Sequence, residues 1–255
     1  MKVFITGASS GIGQGFAHKY ARPGAVIGLC ARSADKLAGV AREVEAQGAR
    51  AFVYANDVSD GPAMVQAARD FVTAAEGVDV VIASAGIGVP NETRAGKAEP
   101  VAQLMRINVI GVTNTILPFV PSMLEQGSGT LAALSSLASF RGLPGRAAYS
   151  ASKAAVRIFM DGLRLDLHDS GVHAMSLCPG FVRTPMTASL PDIPLAIERD
   201  AAVDMMAEAI SQRVDTFVFP WQVATLSHIY AFAPEWLVQR LAPPARKPIE
   251  SAPQP

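Results

Sequence analysis

Short apolar runs rich in β-branched residues recur along this chain, and each is followed by a longer stretch in which apolar side chains return every three or four positions. A run of the first kind suits a strand buried on both faces; the second spacing suits a helix with one apolar stripe. The runs predict strands over Lys2 to Thr6, Val26 to Cys30, Ala51 to Ala55, Val78 to Ala83, Gly129 to Ser135, His173 to Leu177 and Thr216 to Phe219. The intervening spacing predicts helices over Gly13 to Ala21, Ser33 to Gln47, Asp60 to Ala75, around Pro100 to Glu125, Tyr149 to Ser170 and Glu198 to Arg213. Such alternation is the pattern of βαβ units, so the expected fold class is α/β, a Rossmann-type doubly wound parallel sheet of about seven strands with helices on both faces.

Two stretches break the pattern. Residues 185–197 hold Pro185, Pro191 and Pro194 among apolar side chains, which predicts an irregular loop placed to act as a lid. Residues 216–242 hold six of the 17 aromatic residues, both tryptophans among them, and so call for a large apolar cover. Beyond them, residues 243–255 include five prolines and predict a disordered tail. Residues 1–242 are therefore expected to form a single domain.

Charge and composition then narrow the classes. Lys and Arg number 22 and Asp and Glu also 22, so no net charge draws the chain to nucleic acid or to an anionic membrane. No uninterrupted apolar run approaches the ~18–20 residues of a membrane span, and the N-terminus passes directly into the first strand without a secretory signal. Two cysteines far apart, Cys30 and Cys178, fit a reducing compartment, and the expected location is cytoplasmic.

The chemistry begins where the first strand runs into Thr6-Gly7-Ala8-Ser9-Ser10-Gly11-Ile12-Gly13. Glycines here permit a tight turn, close approach of backbone to a pyrophosphate and close packing of the following helix, whose N-terminal N–H groups face the anion. The setting between strand and helix is what separates this motif from an ordinary flexible turn. After the second strand the sequence reads Leu29-Cys30-Ala31-Arg32-Ser33, with no carboxylate for a ribose diol. Arg32 can instead pair with the additional phosphate of NADP, so NADP(H) is favoured over NAD(H). Taken alone, Arg32 is equally a solvated residue opening a helix.

Tyr149-Ser150-Ala151-Ser152-Lys153 places a phenol and an ammonium four residues apart, on one face of a helix. A neighbouring cation favours phenolate and tunes a proton donor that is otherwise too weak at neutral pH. Ser136 follows a strand end, where sites in α/β proteins form, and Asn108 is a polar amide among apolar neighbours. The four histidines show no metal-ligand spacing, so no metal is expected.

In this order the glycine turn, Asn108, Ser136 and Tyr149-x-x-x-Lys153 resemble the short-chain dehydrogenase/reductase family, over roughly Met1 to Arg213. The resemblance implies an oxidoreductase that moves a hydride between nicotinamide and a carbonyl or secondary alcohol; Arg32 makes the expected cofactor NADP, and apolar residues flanking the site make the expected substrate a lipophilic small molecule. It makes Tyr149 the general acid or base, Ser136 the holder of the substrate oxygen, and Lys153 the ligand of the nicotinamide ribose that also depresses the Tyr149 pKa. Asn108 would support a proton relay to Lys153. It further assigns cofactor contacts to Gly7, Ser9, Ser10, Gly11, Ile12, Gly13, Arg32, Asp57, Val58, Ser84, Ala85, Gly86, Tyr149, Lys153, Pro179, Gly180, Val182 and Thr184.

Three features depart from the family. Ala83-Ser84-Ala85-Gly86 stands where the family has Asn-Asn-Ala-Gly, the usual C-terminal segment is not recognisable after Phe219, and the aromatic stretch from Trp221 to Trp236 replaces it. A homo-oligomer, dimer or tetramer, is expected, but its geometry cannot be carried over. By position, Leu137, Leu143, Phe181 and Met186 flank the substrate, although each is equally a candidate for the core. Two other readings stand beside the enzyme: a dinucleotide-binding redox sensor or scaffold without catalysis, and an aromatic segment that docks on a membrane or partner.

Overall fold

The computed structural model describes residues 1–88, 96–188 and 195–241. Its main sheet holds β1 (Lys2–Thr6), β2 (Val26–Cys30), β3 (Arg50–Tyr54), β4 (Val80–Ala83), β5 (Gly129–Leu134), β6 (Val172–Pro179) and β9 (Thr216–Phe219). They lie in the order β3-β2-β1-β4-β5-β6-β9, every pair parallel. The order reverses between β1 and β4, and their connections leave toward opposite faces. A crevice therefore opens above their C-terminal ends, the usual ligand position in such sheets.

The connecting helices are α1 (Gly11–Tyr20), α2 (Ala34–Glu45), α3 (Gly61–Ala75), α7 (Ala147–Asp166) and α8 (Arg199–Ser211). Asp60 shows how local chemistry sets a boundary: its Oδ1 accepts the Ala63 N–H at 3.0 Å and Pro62 occupies the first turn. Alternation along β1 sends Val3 and Ile5 to one core with Phe16, Leu29 and Met206, and Phe4 to the other with Phe71 and Phe119. Phe4 is fully buried, 4.8 Å from the Phe119 ring and 5.4 Å from that of Phe71. Truncating it to alanine would cost about 3–5 kcal/mol.

Residues 98–126 form one helical run: α4 (Ala98–Met105), a π-helical turn (Arg106–Ile110), α5 (Gly111–Ile116), a 3-10 turn (Leu117–Phe119) and α6 (Val120–Gln126). The run is 29 residues long and one 18-residue window in it reaches a mean hydropathy of 1.4, long and apolar enough to cross a membrane by those measures alone. Leu104, Ile116, Phe119 and Met123 are fully buried, which identifies it as a core helix of the sheet's flank.

The two stretches that break the helix–strand pattern take the following forms. The loop over 185–197 is tied at its ends by a small parallel pair, β7 (Val182–Arg183) with β8 (Ile197–Glu198), reinforced by an Arg183–Glu198 ion pair at 3.0 Å. Only residues 189–194 of it lie outside the described residues. The aromatic stretch forms two helices, α9 (Trp221–Phe232) and α10 (Glu235–Leu241), and the apolar cover expected for it is incomplete among the described residues. Phe219 enters the core, whereas Trp221, Phe232 and Trp236 are 72%, 88% and 65% exposed. Apolar residues fall all round α9, so one packed face cannot take them all. The tail over 243–255 lies outside the described residues.

Candidate active site

The crevice at the strand ends is a cleft of about 440 Å³. At one end β1 turns sharply through Gly7, which sits at φ +70°; a Cβ there would come within 2.9 Å of the Ala85 backbone. At Gly13 a Cβ would meet the Gly7 carbonyl oxygen at 2.3 Å, so α1 packs onto the turn only because that position is glycine. Ser10 caps α1 without a side-chain bond to it, and no carboxylate occupies the first turn. The helix thus directs its N-terminal N–H groups toward the cleft, an arrangement that favours an anion.

Beyond β2, Arg32 and Lys36 both line the cleft, and neither closes an ion pair among the described residues. Lys36, missed from sequence, lies one helical turn past Arg32, which was the available signal. Asp57 accepts hydrogen bonds from the Ser59 N–H and hydroxyl, both at 2.8 Å. These bonds, with Arg32 nearby, hold its carboxyl below the usual range against the opposing effect of burial.

At the other end Ser136 follows β5 and caps the short turn Leu137–Ser139, its Oγ accepting the Ala138 N–H at 3.2 Å. Tyr149 and Lys153 project from the first half of α7 into the same region. Lys153 is 6% exposed, and its ammonium donates to the Leu134 carbonyl at 2.8 Å and lies 5.8 Å from the Tyr149 ring centre. Burial pulls its pKa down to about 8. Burial pushes the Tyr149 phenol up, with the Ser136 hydroxyl and the Arg146 guanidinium working against it. Burial is the largest influence on the phenol in this geometry.

Asn108 stands behind the cleft, fully buried in the π-helical turn. Its Oδ1 accepts from the Ile87 N–H at 2.8 Å, and its Nδ2 donates to the Ile87 carbonyl at 2.9 Å and to Ser152 Oγ at 3.2 Å. The amide is fully engaged, bracing the segment after β4 where side-chain amides are missing from the sequence. Gly86 fills the gap: a Cβ there would stand 3.3 Å from Asn108 Oδ1 and 3.6 Å from Lys153 Nζ.

Of the sequence candidates, Gly7, Ser9, Ser10, Gly11, Ile12, Arg32, Asp57, Val58, Ser84, Ala85, Gly86, Ser136, Tyr149, Lys153, Pro179, Gly180, Val182, Thr184 and Met186 all line the cleft. Gly13 and Asn108 support it from behind. Leu137, Leu143 and Phe181 do not line it; Leu137 packs beside Gly180, and Phe181 is 47% exposed. Asn56, Ile87, Ile107 and Thr187 line it without any signal in the sequence pattern. Cys30 and Cys178 are buried free thiols, pushed up to about 12 and about 11, and so are unreactive.

Arg141 leaves the loop after Ser136 in the other direction. Its Nη1 donates to the carbonyls of Tyr230 (2.8 Å), Ala231 (3.2 Å) and Ala233 (2.6 Å), its Nη2 to Glu235 at 2.7 Å, and the guanidinium stacks over the Tyr230 ring at 5.4 Å. One side chain thus caps α9 and holds α10.

The family profile described as short chain dehydrogenase matches residues 1–193. An uncharacterized oxidoreductase of Myxococcus xanthus is 36% identical over 93% of this chain and 94% of its own length. A short-chain dehydrogenase from Sphingobium yanoikuyae, solved in complex with NADPH, superposes with a TM-score of 0.80 at 25% identity, over 97% of this chain and 98% of that one. A short-chain dehydrogenase from Mycobacterium paratuberculosis bound to NAD gives 0.77 at 25% identity, over 85% and 95%. With the parallel sheet, the glycine cradle and the Ser136–Tyr149–Lys153 grouping already in place, these likenesses have one meaning: the chain belongs to the short-chain dehydrogenase/reductase family of oxidoreductases.

Proposed function

We propose that the protein interconverts a carbonyl and a secondary alcohol on a small molecule, using NADP(H) held along the cleft. The observation that carries this reading is that one cleft joins the glycine turn and two cations that close no ion pair among the described residues at one end to Ser136, Tyr149 and Lys153 at the other. The residues fit such a cofactor. Gly7 and Gly13 let the turn after β1 and the start of α1 close on one another, which would bring the helix N-terminus against a pyrophosphate, and Arg32 with Lys36 offers two donors to a further phosphate. Bound there, the nicotinamide supplies or accepts the hydride.

Tyr149 gives a proton to the carbonyl oxygen while Ser136 donates a hydrogen bond to it. Both interactions strengthen as negative charge grows on that oxygen, which favours the transition state over the bound substrate. Lys153 holds positive charge beneath the phenol and stabilises phenolate once the proton has left. The Tyr149→Phe variant should lose turnover by more than about 10²-fold with NADPH affinity unchanged, read from NADPH consumption over a graded panel of ketones and aldehydes with NADH in parallel. Normal turnover by this variant would refute the role of Tyr149; an NADH preference would refute that of Arg32 and Lys36. The reading includes a single domain over residues 1–242, a cytoplasmic location, and a homo-oligomer of two or four subunits. Exposed Ile110, Leu117 and Leu124 on the 98–126 run and Ile158 and Leu165 on α7 support assembly. The family relatives bound to NADPH and to NAD support a nicotinamide cofactor in general.

A further inference from the structure

Two arginines flank the Ser136–Tyr149 loop, and their surroundings differ sharply. Arg141 spends its guanidinium on three carbonyls and the Glu235 carboxylate. Arg146, immediately before α7, is half-buried, yet its guanidinium has no hydrogen-bond or ion-pair partner among the described residues. It does not line the cleft itself but lies beside it, next to a residue that does. Its Nη1 and the Met186 sulfur lie 3.7 and 3.9 Å from where a Cβ on Gly88 would sit, and Met186 lines the cleft. It is close enough to the Tyr149 phenol to favour the phenolate.

A planar, permanently charged fork that gives up part of its hydration beside a cleft, with no carboxylate to answer it among the described residues, is matched to a ligand oxyanion. We propose that Arg146 is an anion-binding residue of the substrate site, so that the carbonyl or alcohol substrate also carries a carboxylate or similar oxyanion. The inference rests on the reading above, in which Tyr149 meets the substrate oxygen. It deepens that reading by making the substrate amphiphilic, with the anionic group at Arg146 and its apolar portion against Met186 and Ile87. Arg146 precedes Tyr149 by three positions at the start of α7, so acids with several spacings between ketone and carboxylate probe how far apart the two groups meet the substrate.

The test is a calorimetric titration of the protein, with and without saturating NADP⁺, using straight-chain oxo acids in which two to five carbons separate ketone and carboxylate, each paired with its methyl ester. At least one acid should bind about tenfold or more tightly than its ester, and the preference should fall with added salt. In Arg146→Met the acid should weaken to its ester's affinity while the ester moves less than about threefold; Arg146→Lys should keep part of the preference. Equal binding of acids and esters by the wild-type protein, or an acid preference that survives in Arg146→Met, would overturn the proposal. The wild-type arm and its salt dependence decide the matter even if a variant fails to fold. An Arg146-dependent acid preference without turnover of any compound would keep the anion site and remove the hydride-transfer reading. Turnover of acids and esters with equal affinity would do the reverse.

Discussion

Replacing Gly13 with alanine sets a methyl group 2.3 Å from the Gly7 carbonyl oxygen and 2.7 Å from its carbon. Relief to ordinary contact requires a shift of about 1 Å between two backbone segments. Neither has slack: Gly7 is held at φ +70° against Ala85, and α1 is packed into the core through Phe16. Overpacking of this kind costs typically 1–3 kcal/mol, and the rigidity of both partners places it at about 3. For a chain of this length 1 kcal/mol moves the melting temperature by about 2–4 °C, so Gly13→Ala should melt about 6–12 °C lower. The same substitution at Gly39 in α2 or Gly162 in α7, where a Cβ meets nothing within 4 Å, should instead add about 0.5–1 kcal/mol through helix propensity. Thermal melts with and without NADPH provide the second readout. Cofactor at one hundred times its Kd should stabilise the wild-type protein by about 2.7 kcal/mol, and Gly13→Ala, its cradle displaced, should lose most of that gain. A Gly13→Ala protein that melts within about 2 °C of wild type, or three substitutions that all shift in one direction, would refute the reasoning.

Removing both Arg32 and Lys36 by alanine substitution should raise the KM for NADPH about 10–100-fold and that for NADH far less; equal effects on both cofactors would place the cations away from the extra phosphate. Burial lowers the Lys153 pKa from 10.5 to about 8. Between those values the unfolded chain keeps a proton that the folded one has released, so the stability due to this group rises with pH across that window. Chemical denaturation of wild type against Lys153→Met should show the difference moving toward wild type by up to about 3 kcal/mol from neutral pH to 10.5; a constant difference would mean that Lys153 keeps its ordinary pKa. Arg141→Ala should speed amide hydrogen exchange across residues 221–241 by about tenfold or more while leaving β1 to β6 unchanged, and unchanged exchange there would show the clamp to be idle.

The sheet was legible because its strands are buried on both faces and therefore read as unbroken apolar runs. β1, β2 and β9 fall on the expected residues, and β3 is displaced by one. The 98–126 run was legible as one helix but not as a helix interrupted by a π-turn, since the turn follows from where Asn108 finds Ile87 and not from any periodicity. The site separates in the same way. Residues fixed by backbone geometry, such as Gly7 and Gly13, or by helical spacing, such as Tyr149 and Lys153, could be named from the chain alone. Lining residues set by how distant loops meet could not: Leu137 and Phe181 were expected in the cleft and Asn56 and Thr187 were not. The opposite fates of Arg141 and Arg146, five residues apart, depend on acceptors in α9 and α10 that no local pattern announces.

The Arg141 clamp also bears on how the fold can change over time. The hairpin at 221–241 and the loop that follows Ser136 are nearly a hundred residues apart in sequence yet share one guanidinium. Neither can be exchanged alone without stranding three carbonyls and a carboxylate. Recombination among relatives should therefore transmit residues 137–146 and 221–241 as a linked pair, and grafts intended to alter substrate range should be designed as that two-part cassette.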